Sequence, residues 1–298
     1  MSVSSLFAPT DLTRAQRWLN RWWPSRRLRA DPLRELLIDE RYAPVSIANW
    51  KLIPAVARNV LARRVTRPLS FTSGRRLTVV IPYRDRAHHL EQLLPELTAK
   101  LAEQQVLYRI LVVEQEPGAL FNRGRLLNIG MQYTAESSDY YCLHDVDAVP
   151  IVANYQCPSQ PLRLANKILN GSGQTFHSDY YFSGAVCIRK EQAQAVNGFS
   201  NEYWGWGKED DDFFFRLLLA GFLCYFDLEG IFRDLPNPSH QHVKRKPVAP
   251  PHVKRNRERR SQLLRGLSDP AADGLSSLRY RILERADYPS YEHIRVRW

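Results

Sequence analysis

The stretch that decides the fold is RRLTVVIPYRDR, Arg75 to Arg86. Its core, Leu77 to Ile81, is a short apolar run rich in β-branched residues and bounded by Pro82, which reads as a buried strand. The next segment, HHLEQLLPELTAKLAEQ from His88 to Gln104, spaces its leucines at helical intervals. YRILVVEQ, ending at Gln115, then reads as a second strand, GRLLNIGMQYTAE, starting at Gly124, as a second helix, and DYYCLHDVDAVP, Asp139 to Pro150, as a third strand that ends in acids. Alternation of this kind predicts an α/β fold with a mostly parallel central sheet flanked by helices on both faces. Ligands of such sheets bind beyond the carboxyl ends of the strands.

Outward from this unit the signals weaken and then return. VANYQCPSQPLRLANKILNGSGQTF, after Pro150, has few periodic features, whereas YYFSGAVCIRKEQAQAVNGF, Tyr180 to Phe199, reads as a strand followed by a helix. From His240 the chain is strongly basic, and residues 1–75 form a basic N-terminal extension ahead of a domain over 76–298. That extension contains RAQRWLNRWWPSRRLRADPLRELL, where Trp18, Trp22 and Trp23 alternate with arginines. Two readings fit it: a helix resting on an anionic membrane surface, and a helix docked on the main domain.

The bulk composition bounds the function. With 298 residues, 44% of them hydrophobic, the chain can bury a substantial core. No stretch approaches the ~20 apolar residues of a membrane span and the N-terminus lacks the apolar core of a signal peptide, so a cytoplasmic protein is expected, in peripheral contact with the inner face of the membrane. Four cysteines without a CxxC pair, Cys142, Cys157, Cys187 and Cys224, argue against a zinc site or a dense disulfide framework. A formal net charge of +11 points to an anionic partner.

The chemistry concentrates in three places. Asp145-Val146-Asp147 closes a predicted buried strand, where the backbone turn lets both acids reach one divalent cation. His240-Gln241-His242 offers two imidazoles that can complete such a site, and Arg84, Arg86, Arg123 and Arg125 follow strands or open helices, where planar guanidinium groups suit phosphate. The third place is YWGWGKEDDDFFFRL, Tyr203 to Leu217, with four carboxylates in a row ahead of three phenylalanines. A helix start accounts for one or two of those acids through the macrodipole. The rest read as a site, because like charges at the edge of an apolar core repel and resist ionisation. A cation, phosphate-binding arginines and a separate acid cluster beside tryptophans fit transfer from a nucleotide sugar. A protein that only bound nucleic acid or a membrane surface would leave these acids unexplained, and they would repel a phosphate backbone, so no nucleic-acid partner is expected.

The blocks IPYRDRAHHL, FNRGRLLNIG, HDVDAVP, YFSGAV, NGFSNEYWGWGKEDDDFFFRL and HQH resemble, in this order, those of the β-1,4-galactosyltransferase family, and GLSSLRYRIL resembles its C-terminal end. The HDVD and HxH forms are most similar to the branch that galactosylates xylose on proteoglycan linkers. The resemblance implies the GT-A fold and an inverting, Mn²⁺-dependent transfer of galactose from UDP-galactose to a glycan or glycolipid acceptor, with UDP-N-acetylgalactosamine as the alternative donor. It assigns Arg84, Arg86, Phe121, Arg123 and Asp145 to the UDP part, and Trp206 to a loop over the donor. Manganese falls to Asp147, His240 and His242, the catalytic base to Asp210, and ordering of the acceptor to Glu209 and Asp211. Lys208, Ser183 and Arg125 depart from the family pattern of glycine, glycine and lysine and bear on the choice of sugar. The animal members carry a Golgi membrane anchor that has no counterpart in this sequence, so the resemblance implies a soluble, bacterial-type member.

Overall fold

A computed structural model describes residues 41–44, 69–170, 175–177, 182–236 and 250–298. The Trp/Arg segment with its expected membrane contact lies outside the described residues, as do His240 and His242. The first described elements are β1 (Tyr42–Pro44), β2 (Phe71–Thr72), β3 (Arg76–Tyr83), α1 (Ala87–Glu103), β4 (Leu107–Gln115), α2 (Arg123–Tyr133) and β5 (Tyr140–His144). Short strands follow: β6 (Ala148–Val152), β7 (Cys157–Pro158), β8 (Leu162–Arg163), β9 (Lys167–Leu169) and β10 (Thr175–His177). The chain continues through β11 (Ala185–Arg189), α3 (Lys190–Ala195), α4 (Glu209–Leu219), β12 (Tyr225–Asp227), β13 (Ile231–Asp234), α5 (Pro251–Leu264), β14 (Arg281–Asp287) and β15 (Glu292–Arg297).

Among the described residues the main sheet has nine strands in the order β1-β12-β8-β11-β5-β3-β4-β15-β14. Its centre, β5-β3-β4-β15, is parallel as the alternating pattern predicts. The flanks mix directions, since β11 runs antiparallel to both β5 and β8, and β14 to β15. All of Leu77 to Pro82 is buried, as a strand covered on both faces requires. Leu77, Val79 and Ile81 meet Leu90, Leu93, Leu97 and Leu101 of α1 in one core, while Val80 meets Leu126 and Ile129 of α2 and the phenylalanines of α4 in the other. Right-handed crossovers give this result: β4 lies on one side of β3 and β5 on the other, so their connecting helices fall on opposite faces. The loops after β3 and β4 therefore diverge and open a crevice at the carboxyl edge.

Two expectations need correction. The strand predicted over Asp139–Pro150 is two strands, because the chain leaves the main sheet after His144 and β6 joins a second sheet of order β10-β9-β13-β6. The acids at 145 and 147 sit at this break. Nor does the domain begin at residue 76: β1 forms an edge of the main sheet by pairing with β12, and Arg41 makes a two-pronged bond to Asp227, at 2.9 and 2.8 Å. The basic composition of the N-terminal segment hid this short strand, whose register depends on a partner about 185 residues later.

Gly130 lets α2 lie close against β3, since a Cβ there would stand 2.2 Å from a methyl group of Val80. Gly130→Ala should therefore destabilise the fold by about 1–3 kcal/mol, the usual effect of overpacking a core. Calorimetry should show a melting temperature lower by several degrees; an unchanged value would contradict the close approach.

Candidate active site

The turn after β5 is held by backbone bonds. Asp145 N–H donates to the Gly184 carbonyl at 2.7 Å, and Leu235 N–H, just beyond β13, donates to the Asp147 carbonyl at 2.8 Å. His144, fully buried, braces the turn from beneath, with Nδ1 2.9 Å from the Asp145 carbonyl and Nε2 3.1 Å from the Tyr155 hydroxyl. Burial pushes its pKa down to about 4, opposed by the Asp145 carbonyl, so the ring is neutral. A carbonyl can only accept, so Nδ1 carries the proton and Nε2 accepts from Tyr155. Asp145 and Asp147 line a cleft with Gly184, Phe232 and Asp234.

Across the crevice stands the start of α2, where Asn122 caps the helix by accepting Arg125 N–H at 3.0 Å. The cap is itself fixed, because Asn122 N–H donates to Gln115 of β4 and its amide donates to the Asn201 carbonyl. This orientation sends Arg123 into the crevice, where Nε donates to Asp145 at 2.6 Å and Nη1 lies 3.9 Å from Glu209. Burial opposes the charge on Arg123, but Asp145 and Glu209 outweigh it and its pKa rises. Arg123 Nη1 and Glu209 Oε2 are buried without a hydrogen-bond partner. Arg84 lies with its guanidinium carbon 5.3 Å over the Phe121 ring and donates to the Ala119 carbonyl at 2.8 Å. Arg86 is the N-cap residue of α1, and its carbonyl accepts the N–H groups of His89 and Leu90.

The four acids of the α4 first turn have separate surroundings. Asp212 is buried and accepts from Arg216 at 2.6 Å and from the Tyr203 hydroxyl at 2.9 Å, so its work is structural. Asp211 places Oδ2 2.7 Å from Lys208 Nζ and 3.1 Å from Arg260 of α5. Glu209 and Asp210 face the crevice. Burial, then the Asp210 charge, pushes Glu209 up to about 8 against the pull of Arg123. Asp210 is likewise raised by burial and by Asp211, again opposed by Arg123. Lys208, the N-cap residue, has φ +82°, a left-handed conformation that costs a side-chain-bearing residue about 1–2 kcal/mol.

The Trp204–Gly207 loop joins these halves. Gly205 N–H donates to the Phe121 carbonyl at 2.7 Å, while the Asn256 amide of α5 donates to the carbonyls of Trp204 at 3.0 Å and Gly207 at 2.9 Å. Gly205 has φ +70° and a Cβ would stand 2.6 Å from the His252 ring, so only glycine fits. Trp206 is 39% exposed on this loop.

Thus the fold gathers Arg123, Asp145, Glu209 and Asp210 around one crevice, sets Arg84 on Phe121 beside it, and turns Asp211 towards α5. Among the described residues no group of three His, Cys, Asp or Glu is placed to hold a metal, and of the expected ligands only Asp147 is described. Sequence reasoning missed His144, Asn256 and Arg260. The only signal for Asn256 was its place as the one uncharged residue in the run Lys254 to Arg260.

Comparison with known proteins agrees with this geometry. The N-terminal region of glycosyl transferase group 7 matches residues 45–158, and a second model, described as the N-terminal domain of galactosyltransferase, matches 166–230. Human β-1,4-galactosyltransferase 1 is 34% identical over 233 residues, which is 77% of this chain and 56% of the human protein. Drosophila melanogaster β-1,4-galactosyltransferase 7 is 39% identical over 153 residues, 50% of this chain and 47% of the fly protein. The chain spans about half the length of these curated relatives. The crystal structure of the catalytic domain of the Drosophila enzyme 7 with xylobiose aligns at a TM-score of 0.62 and 30% identity, covering 74% of this chain and 93% of that one. A mutant of the same enzyme in complex with manganese, UDP-Gal and xylobiose aligns at 0.63 and 27% identity, with the same coverage. With its GT-A architecture and these matches, the chain belongs to the β-1,4-galactosyltransferase family.

Proposed function

We propose that this protein is an inverting, metal-dependent glycosyltransferase that moves galactose from UDP-galactose to a sugar hydroxyl in β-1,4 linkage. The observation that carries the reading is Arg123, a buried guanidinium bound to the strand-end acid Asp145 and set 3.9 Å from the helix-start acid Glu209. Its partnerless Nη1 and the partnerless Oε2 of Glu209 are a donor and an acceptor in one crevice, where buried polar atoms need a partner. A sugar diphosphate supplies oxygens for the first and hydroxyls for the second. The fly relative in complex with manganese, UDP-Gal and xylobiose supports the same substrates.

Each half of the crevice then has a task. Arg84, Arg86, Phe121, Arg123 and Asp145 bind and orient UDP, and the exposed face of Trp206 is available to stack on a sugar ring. Asp210 takes the proton from the acceptor hydroxyl while that oxygen bonds to the anomeric carbon; the bond from that carbon to the phosphate oxygen breaks, and its electron pair leaves with UDP. Attack opposite the leaving group inverts the α-linked sugar to β. Glu209 and Asp211 order the acceptor.

The residues fit a divalent cation. Asp147 lies in the cleft with Asp145 and Asp234, and the chain leaves β13 hydrogen-bonded to Asp147, four residues of sequence after Pro236 bringing it to His240. Carboxylate and imidazole together suit Mn²⁺. Held by Asp147, His240 and His242, such an ion would neutralise charge on the departing diphosphate.

A screen of UDP-sugars should show UDP release from UDP-galactose that needs Mn²⁺ and rises with a simple glycoside acceptor. A protein that neither binds UDP with Mn²⁺ nor releases it from any UDP-sugar would defeat the reading.

The raised pKa of Glu209 sets a second expectation. Between its ordinary value of 4.5 and about 8 the folded protein holds a proton that the unfolded chain has lost, so this residue makes stability fall as pH rises through that window. Glu209→Gln should remove that part of the fall and gain most, relative to the native protein, above pH 8. Parallel melting curves for both proteins from pH 5 to 9 would contradict the assignment.

A further inference from the structure

Lys208 holds a left-handed backbone conformation that glycine would adopt without strain, at φ +82°, immediately before the catalytic acids. Strain kept at a site points to function. Its ammonium contacts Asp211 Oδ2 at 2.7 Å, and Arg260 reaches the same oxygen at 3.1 Å. Two cations thus share one oxygen of a single acid. The ammonium has three N–H donors and its side chain is 35% exposed, so donors remain for a ligand. Arg260 Nε is also buried without a hydrogen-bond partner. On the solvent side of α5, Lys254, Arg255 and Arg257 are exposed and have no ion-pair partner among the described residues. Lys208 also acts on the charge of neighbouring Asp210, which faces the crevice, so cations flank the acid side of the crevice.

We infer that the acceptor sugar carries an anionic substituent, a carboxylate or a phosphate, which Lys208 and Arg260 recognise beside the accepting hydroxyl. This rests on the glycosyltransferase reading and names its acceptor class. Hydrogen bonds to an ionised group are about twice as strong as neutral ones, so two cations at the mouth discriminate in favour of the charged sugar. Asp211 keeps the pair in place when no acceptor is bound, and the α5 cations attract the acceptor from solution.

The test is calorimetric binding to the full-length protein with UDP and Mn²⁺, using pairs of probes that differ only in charge. Methyl β-glucoside is compared with methyl β-glucuronide in one arm and with its 6-phosphate in the other. The charged member of at least one pair should bind about tenfold more tightly, ~1.4 kcal/mol, with a preference that shrinks as salt rises. The arm that responds identifies the group. In Lys208→Gly and Lys208→Asn, two residues that tolerate a left-handed backbone, the preference should disappear while the melting temperature holds. Equal affinity within both pairs would overturn the inference, and so would a preference that survives both substitutions. Failure of UDP itself to bind would instead remove the proposed function.

Discussion

One buried guanidinium ties the two halves of the crevice together. Arg123 bonds to Asp145 at the end of β5 and stands 3.9 Å from Glu209 at the start of α4, elements from distant parts of the chain. Its charge opposes the burial and mutual repulsion that raise the pKa values of Glu209 and Asp210. The scaffold is spent on aiming this side chain: Gln115 holds Asn122, Asn122 caps α2, and the cap fixes the first helical residue, Arg123. A lysine would bring the charge but not the rigid planar fork that fixes where the second donor points once the first has bonded a carboxylate.

The acids show how a helix start can carry four carboxyl groups without collapsing under its own charge. Asp212 is neutralised inside the core by Arg216, Asp211 outside it by Lys208 and Arg260, and Glu209 by retaining a proton. Asp210 faces the crevice, with its pKa raised by burial and by Asp211 against the pull of Arg123. The Trp204–Gly207 loop is fastened at both ends, because Gly205 is bonded to Phe121 and Gly207 to Asn256 of α5.

The parallel centre of the fold was legible because each buried strand is a contiguous apolar run and each helix repeats its leucines, both local signals. The strand-end aspartates and the first-turn acids were legible for the same reason. What sequence left hidden is non-local. The break after His144 depends on Gly184 receiving the Asp145 N–H, and β1 exists only through pairing with β12. Arg216 lay unnoticed in an apparently apolar run, because a buried arginine is explained only by the Asp212 one turn earlier and the carbonyls of Pro270 and Asp273. The resemblance supplied roles for the site residues that periodicity could not, while the pairing of Asp211 with Lys208 and Arg260 came from neither.

The central claim is that Asp210 is the base of an inverting transfer held apart from donor binding. Asp210→Asn keeps the shape of the side chain and removes its basicity, so single-turnover transfer from UDP-galactose should slow by roughly 10²- to 10⁴-fold, the usual contribution of general-base catalysis. The affinity for UDP with Mn²⁺ should stay within about threefold, a change well below the tenfold that marks 1.4 kcal/mol. A correctly folded variant that binds UDP and transfers galactose at close to the native rate would contradict the account.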